Sequence, residues 1–285
     1  LSRNVSEVKF DLNLAVNIGD YPITEPGSDQ YRSVVEEARV SLAKHGYAEL
    51  SGFVSRDFVD WLTKDAEALA PSAYRSVGKG TAYLAAPDAG VEPGHPLRHM
   101  MPFGVRVVAY DAIPYESPLR LLYESPELTA FIGAIVNRGE LHPYGDPFGA
   151  LNLAVMGEGD ELQWHYDQTD FVVSLAIQTS ESGGTFDVVP LMRSAEDERF
   201  HLVKALFEGD ESQVVTLPMT PGTLLVFEGR NSIHRVSPIR GEKLRHVGLL
   251  AYDTVPDRQG SGALRQTRYG RTEPLSTPPS LWSDQ

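Results

Sequence analysis

His165 and Asp167 stand two residues apart in the run LQWHYDQ, and His234 opens the run HRVSP far downstream. In an extended strand, side chains at i and i+2 leave the same face. If strands carrying these runs lie side by side, two imidazoles and one carboxylate converge on one face of a metal ion. That donor set suits non-haem Fe(II) and leaves adjacent coordination positions for a chelating co-substrate and O2. An H-x-D pair alone is weak evidence, since such pairs are common in surface turns. The weight comes from placement, with the pair ending one strand-like run and the distant His opening another. Eleven positions after His234 comes Arg245. By alternation it shares a face with Val247 and Leu249, where an unpaired charge is costly, so it needs an anion. An α-keto acid that chelates iron through its keto and C1 carboxylate oxygens leaves a C5 carboxylate for a forked guanidinium to bind. The competing reading is a structural ion pair with one of the 39 acidic residues. Arg240, in the turn before Gly241, competes for the same role and is expected to be solvated.

The remaining histidines have plainer readings. His45 falls at a helix end before Gly46, where a cation is favoured, and His201 belongs to a helical insertion. His246 points away from Arg245, and His95, His99 and His142 carry no assignment.

Positioning these donors requires strands. From Ala150 onward eight short strand-like runs are separated by turn signals: Ala150–Met156, Leu162–Tyr166, Phe171–Thr179, Thr185–Pro190, Gln213–Met219, Thr223–Phe227, His234–Pro238 and Leu244–Tyr252. Their spacing predicts a mainly β chain with flanking helices, folded as a double-stranded β-helix, a cupin-like jelly-roll. A helical insertion at about 194–208 interrupts it. Upstream, apolar residues at helical spacing mark Val34–Leu42 and Phe58–Leu69, the second capped by Ser55 and stopped by Pro71. Tyr47–Phe53 reads as a short strand. The stretch from Ala73 to Pro114 reads as loops with one strand at Gly104–Tyr110, and about 117–137 as one helical stretch. One domain is expected over 1–285: a helical part to about 149, a jelly-roll core at about 150–253, and a tail at 254–285. Two readings of that Gly-, Pro-, Ser- and Arg-rich tail stay open, an unstructured end or a lid over the pocket mouth.

Composition narrows the chemistry. The chain has 285 residues and no cysteine, which excludes disulfides, zinc–thiolate sites, iron–sulfur clusters and thiol nucleophiles. Any metal must rest on His and carboxylate. A net charge of −14 disfavours nucleic acid, while one basic pocket for a small anion remains compatible with it. No run is long and apolar enough to span a bilayer, and LSRNVSEVKF lacks the pattern of a signal peptide, so a cytoplasmic protein is expected. The sequon Asn4-Val5-Ser6 is then read as chance.

The segment from Gly139 to Asp253, through LQWHYDQTDFVVSLAIQ, GGTFDVVPLMRSAEDERF and HRVSPIRGEKLRHVGLLAYD, resembles the Fe(II)- and 2-oxoglutarate-dependent oxygenases. It is most similar to the bacterial branch acting on free amino acids, which includes radical halogenases and lysine hydroxylases. GHPLRHM at 94–100, LRLLYESPELTAFI at 119–132 and RYGR at 268–271 extend the similarity over most of the chain after about residue 90. The halogenases of the branch have Gly at the position of Asp167, which leaves room for chloride. The carboxylate here therefore implies hydroxylation, or desaturation or ring closure, in preference to halogenation. Many relatives place Ser or Thr two positions after the Arg, where this chain has Val247. Asn152 is expected to supply the second hydrogen bond to the co-substrate instead.

The donor set and the resemblance together predict an enzyme that uses Fe(II), 2-oxoglutarate and O2 to oxidise, most directly to hydroxylate, a C–H bond of a small molecule, a free amino acid or a metabolite derived from one. His165, Asp167 and His234 hold the metal, Arg245 and Asn152 the co-substrate, and Arg98, Gln168 and Asp170 are the candidates to meet the substrate. Trp164 and Tyr166 are expected to pack in the core behind the ligand strand. Two rivals remain: a cupin-like metalloenzyme without a keto acid, against which the placement of Arg245 argues, and a binding module with a structural ion, against which the count of three ligands argues.

Overall fold

The strand-like runs of the second half form strands in a computed structural model that describes residues 10–276. Asn4 lies outside the described residues. The first half contains α1 (Leu12–Ala15), α2 (Asp29–His45), β1 (Tyr47–Leu50), α3 (Arg56–Leu69), β2 (Tyr74–Gly80), β3 (Met101–Ala109), α4 (Pro118–Tyr123), α5 (Pro126–Val136) and β4 (His142–Pro143). The second half contains β5 (Leu151–Met156), β6 (Glu161–His165), β7 (Val172–Gln178), β8 (Phe186–Val189), α6 (Phe200–Phe207), β9 (Val215–Leu217), β10 (Leu224–Phe227), β11 (Ile233–Val236), β12 (Arg245–Leu250), β13 (Tyr252–Asp253) and α7 (Gly262–Tyr269).

Pairing runs β1-β10-β7-β12-β5-β3-β6-β11-β8-β9, with β2 added on β3, all antiparallel. The long strand β3 joins two walls. Its Arg106–Ala109 half pairs with β5, and Phe103 and Gly104 pair with Leu162 and Glu161 of β6. The sheet therefore curls into the expected jelly-roll. Its interior holds Met156, Ala176, Leu225 and Phe227 of the larger wall against Phe186, Val188 and Val236 of the smaller one. The outer face of the larger wall, through Leu153, Val155, Val173, Leu175 and Val226, packs against Leu42, Leu62, Phe131 and Ile132 of the helices. Burial of both faces explains why every position of β5 is buried and why this run is apolar throughout.

The helices obey their local signals. The Tyr31 N–H donates to Ser28 Oγ at the start of α2, and Gly46 ends that helix with φ +71°. The Phe58 N–H donates to Ser55 Oγ in α3, which gives way at Ala70 to a 3-10 turn containing Pro71. Several expectations differ from what is found. The helical stretch at 117–137 is two helices, because Pro126 lacks the N–H needed to continue the first and instead starts the second. The insertion is helical only over Phe200–Phe207. β2 occupies a segment read as loop, and β1, β2 and β3 bring the first half of the chain into the sheet, so the jelly-roll is not confined to 150–253. Within the described part of the tail, Gly262–Tyr269 forms α7, packed on β2 and β3. Among the described residues no helix is long and apolar enough to cross a membrane.

Candidate metal and co-substrate site

His165, the last residue of β6, lies directly opposite His234 of β11. The register of that pair shifts between His234 and Val236, a local irregularity of the kind that re-aims a side chain. The two ring centroids are 4.2 Å apart. His165 Nδ1 lies 2.8 Å from the Gln163 carbonyl and His234 Nδ1 2.9 Å from the Ser232 carbonyl. A carbonyl can only accept, so each Nδ1 carries the proton and each Nε2 presents its lone pair. Burial, then the neighbouring His234, pushes the pKa of His165 down to about 4 and keeps its ring neutral. Asp167 completes the set, its N–H donating to the Gly229 carbonyl. Its Oδ2 is buried with no hydrogen bond, although His234 Nε2 is 3.3 Å away. One ligand atom from each of the three residues lies within 4.8 Å of the others. Two imidazole Nε2 atoms and an unpartnered carboxylate oxygen facing one another fit a divalent cation and little else.

Gly229 makes this arrangement possible. A Cβ there would collide with the Asp167 carboxylate and with Val172 Cγ2. Sequence reasoning missed it, and its only signal is a glycine in the loop before His234. The loops carrying Asp167 and Gly229 are also tied together. Arg230 donates to Asp170 Oδ1 at 2.6 Å and to the Gln168 carbonyl, while Arg138, just beyond α5, bridges Asp170 at 3.2 Å and Glu228 at 2.7 Å.

Arg245 faces the interior opposite Met156 and is buried. No carboxylate pairs with it among the described residues, and its one polar contact is Met156 Sδ at 4.0 Å from a terminal nitrogen. Burial lowers its pKa from 12.5 to about 10. A buried cation without a counter-ion fits an anionic co-substrate and disagrees with a structural ion pair. Gly184 gives its stem room, since a Cβ there would lie 3.0 Å from Arg245 Cδ and collide with Ile239. Arg240 is exposed, as expected.

The four other candidate site residues are engaged in contacts within the chain. Asn152 is inward-facing and buried, but its amide donates to the Phe148 and Leu151 carbonyls and its Oδ1 accepts from Tyr269, so it is saturated. It lies opposite Leu249, four residues along the strand from Arg245. Arg98 is exposed on the loop before β3 and donates to the Val91 carbonyl. Asp170 is the acceptor in the loop-tying ion pairs, and Gln168 is exposed and joins them through its carbonyl. Trp164 and Tyr166 pack behind the ligands, with Met101, Val189, Met192, Val203 and Ile233. Of the other histidines, His95 and His99 lie against Phe200 and Phe207 of α6 at 4.6 and 5.1 Å, and His246 is fully buried.

A family profile described as Halogenase D (HalD) matches residues 30–268. No curated protein matches the chain. Among solved structures, the non-heme alpha ketoglutarate dependent epimerase SnoN from nogalamycin biosynthesis is 14% identical over 87% of this chain and 96% of its own, with a TM-score of 0.55. The carbocyclase SnoK from the same biosynthesis is 17% identical over 86% and 94%, with a TM-score of 0.53. AviO1 from Streptomyces viridochromogenes Tue57 is 20% identical over 79% and 95%, with a TM-score of 0.51. At these identities the likeness establishes the shared jelly-roll.

Proposed function

The chain belongs to the Halogenase D family and with it to the 2-oxoglutarate-dependent non-haem iron enzymes, and from that premise we propose that it hydroxylates a C–H bond of a small molecule, a free amino acid or a metabolite derived from one. The observation that carries the choice of outcome is Asp167, whose buried oxygen has no partner and whose carboxylate is given room by Gly229. A carboxylate in that place takes the coordination position that a halide would need.

His165, Asp167 and His234 would hold Fe(II), and Arg245 would hold the C5 carboxylate of 2-oxoglutarate through paired N–H donors. When bound, iron with 2-oxoglutarate and O2 supplies the oxidising power for an unactivated carbon, with succinate and CO2 as co-products. The chain's own contribution is positioning. The Gln163 and Ser232 carbonyls fix the tautomer and angle of both imidazoles. The ion pairs of Arg138 and Arg230 hold the Asp167 loop against the His234 loop. Phe186 and Phe227 pack against the His234 ring at 5.5 and 4.9 Å, excluding water from that side.

Succinate formation by anaerobically prepared Fe(II) protein, measured after admission of O2 while free amino acids and their derivatives are screened, tests this reading. Iron- and 2-oxoglutarate-dependent succinate, accelerated by one compound that gains one oxygen atom, is the expected result. Succinate formation independent of 2-oxoglutarate, or a product without added oxygen, would overturn it.

A further inference from the structure

Arg265, Arg268 and Arg271 follow one another at three-residue spacing in and just after α7, and two of them hold that segment down. Arg265 donates twice to Asp146 Oδ2, at 3.1 and 2.7 Å. Arg271 donates to both oxygens of Asp111, at 2.6 and 2.5 Å. Between them Tyr269 is buried, its hydroxyl donating to Asn152 Oδ1 at 2.9 Å and its ring packing with Phe148, Val107 and Ala109. Asn152 shares its sheet face with Arg245, so Tyr269 plants α7 on the inner face of the jelly-roll, at the end away from Met156.

Arg268 has no such duty. Among the described residues it makes no hydrogen bond or ion pair, and its Nε is buried without a partner. An N–H of a charged group left in that condition is costly unless an anion completes it. The helix that carries it packs on β2 and β3, and β3 is the strand paired with β6, which ends in His165. Arg245 and Arg268 are thus two guanidiniums without carboxylate partners among the described residues, one in the sheet and one on the helix that Tyr269 anchors to the sheet's inner face.

We infer that Arg268 binds a carboxylate of the oxidised substrate, making α7 a wall of the substrate pocket. A single guanidinium matches a single carboxylate in a two-point contact, and Arg245 is already assigned to the co-substrate. The inference deepens the reading above and rests on it.

The test uses the Fe(II)-loaded enzyme with 2-oxoglutarate and a panel of the twenty proteinogenic L-amino acids, each paired with its α-carboxamide. The compound that accelerates succinate formation should lose at least tenfold in kcat/KM on amidation. Arg268→Ala should raise KM for the acid at least tenfold, and by more than it raises KM for 2-oxoglutarate. It should leave the weak response to the amide in place, and Arg268→Lys should recover part of the loss. Equal stimulation by acid and amide, or a KM within twofold of wild type in Arg268→Ala, would overturn the assignment. So would a panel in which nothing accelerates succinate formation, and a rise in KM for 2-oxoglutarate alone would move Arg268 to the co-substrate. Absence of any 2-oxoglutarate-dependent succinate would count against the reaction and not against Arg268. In that event thermal stabilisation of the metal-free protein by the same acids reads Arg268 by itself: stabilisation lost in Arg268→Ala supports the contact, and stabilisation retained refutes it.

Discussion

His165 and His234 are cross-strand partners, directly opposite each other in the antiparallel pair of β6 and β11, each with Nδ1 directed at the carbonyl of the residue two positions before it. The two rings are therefore positioned by backbone alone, and loss of either removes a ligand without disturbing the other's support. His165→Ala and His234→Ala should each lose bound iron, measured by colorimetric assay after desalting, together with succinate formation. Wild-type iron content in His234→Ala would remove it from the centre.

Arg245 gives a prediction with two opposite signs. Removing one partner of a buried hydrogen-bonded charge pair costs about 3–5 kcal/mol, so Arg245→Ala should weaken 2-oxoglutarate at least about a hundredfold. Arg240→Ala, at an exposed position, should do little. In the protein without co-substrate the same guanidinium is an uncompensated buried cation, so Arg245→Met should raise Tm there while abolishing stabilisation by added 2-oxoglutarate. A lower Tm for Arg245→Met without co-substrate would reveal a structural anion instead.

On the proposed function, Asp167 is what selects oxygen transfer over halogen transfer. The unmodified enzyme should give no chlorinated product in high chloride. Asp167→Gly opens a coordination position, but a halide must also be held and the substrate aligned, and misplacement by about 1 Å can cost around a hundredfold in rate. The variant should mainly lose activity, with at most a trace of halogenation. Mass spectrometry of products formed in chloride or bromide decides the matter, and undiminished hydroxylation by Asp167→Gly would show that the carboxylate is not an essential ligand.

Gly229→Ala tests how that carboxylate is kept in place. The new methyl group meets the Asp167 carboxylate, whose loop must then shift. Iron affinity should fall at least tenfold, with Tm changing less than for a core substitution. Unchanged iron affinity would show that the loop yields freely.

Asp65 on α3 supplies a pH-dependent term remote from the metal. It is buried, accepts from Ser117 Oγ at 2.6 Å, and burial raises its pKa from 3.8 to about 6, the Ser117 bond partly opposing the shift. Because the folded state holds this proton more tightly than the unfolded chain, the cost of the buried charge is fully present above about pH 6. It is relieved as pH falls from 6 towards 3.8. The shift corresponds to about 3 kcal/mol. Asp65→Asn should stabilise the protein in urea unfolding at pH 8 and lose that advantage at pH 4. Equal effects at both pH values would refute the charge as the cause.

The clustering of His165, Asp167 and His234 was legible in sequence because strand alternation and the order of strands bring them together with few alternatives. Strands 5 to 12 likewise announce themselves as apolar runs between turn residues. What escaped lay where one part of the chain borrows structure from another. YRSVGKG has two glycines and buries only Ser76, so pairing with β3, not its own pattern, makes β2 a strand. Asn152 was expected at the co-substrate, but its amide donates to the Phe148 and Leu151 carbonyls and its Oδ1 accepts from Tyr269, more than a hundred residues later. Gln168 and Asp170 follow the ligands closely in sequence, yet the arginines that claim their loop come from two other segments. Arg98 sits in a loop whose path no local signal specifies.

The joining of both walls by β3, and of Tyr47 in β1 to Phe227 in β10, has a consequence during synthesis on the ribosome. Strand β1 must wait for β10, and Arg245 and α7 emerge later still. Such distant pairings fold slowly and leave strand edges open in the meantime. The helices α2, α3 and α5 can form early and cover the outer face that β5, β7 and β10 will fill, shielding the most apolar surface of the nascent chain. The candidate iron pocket itself comes into being only with β11 and β12, so metal loading must follow the synthesis and pairing of those strands.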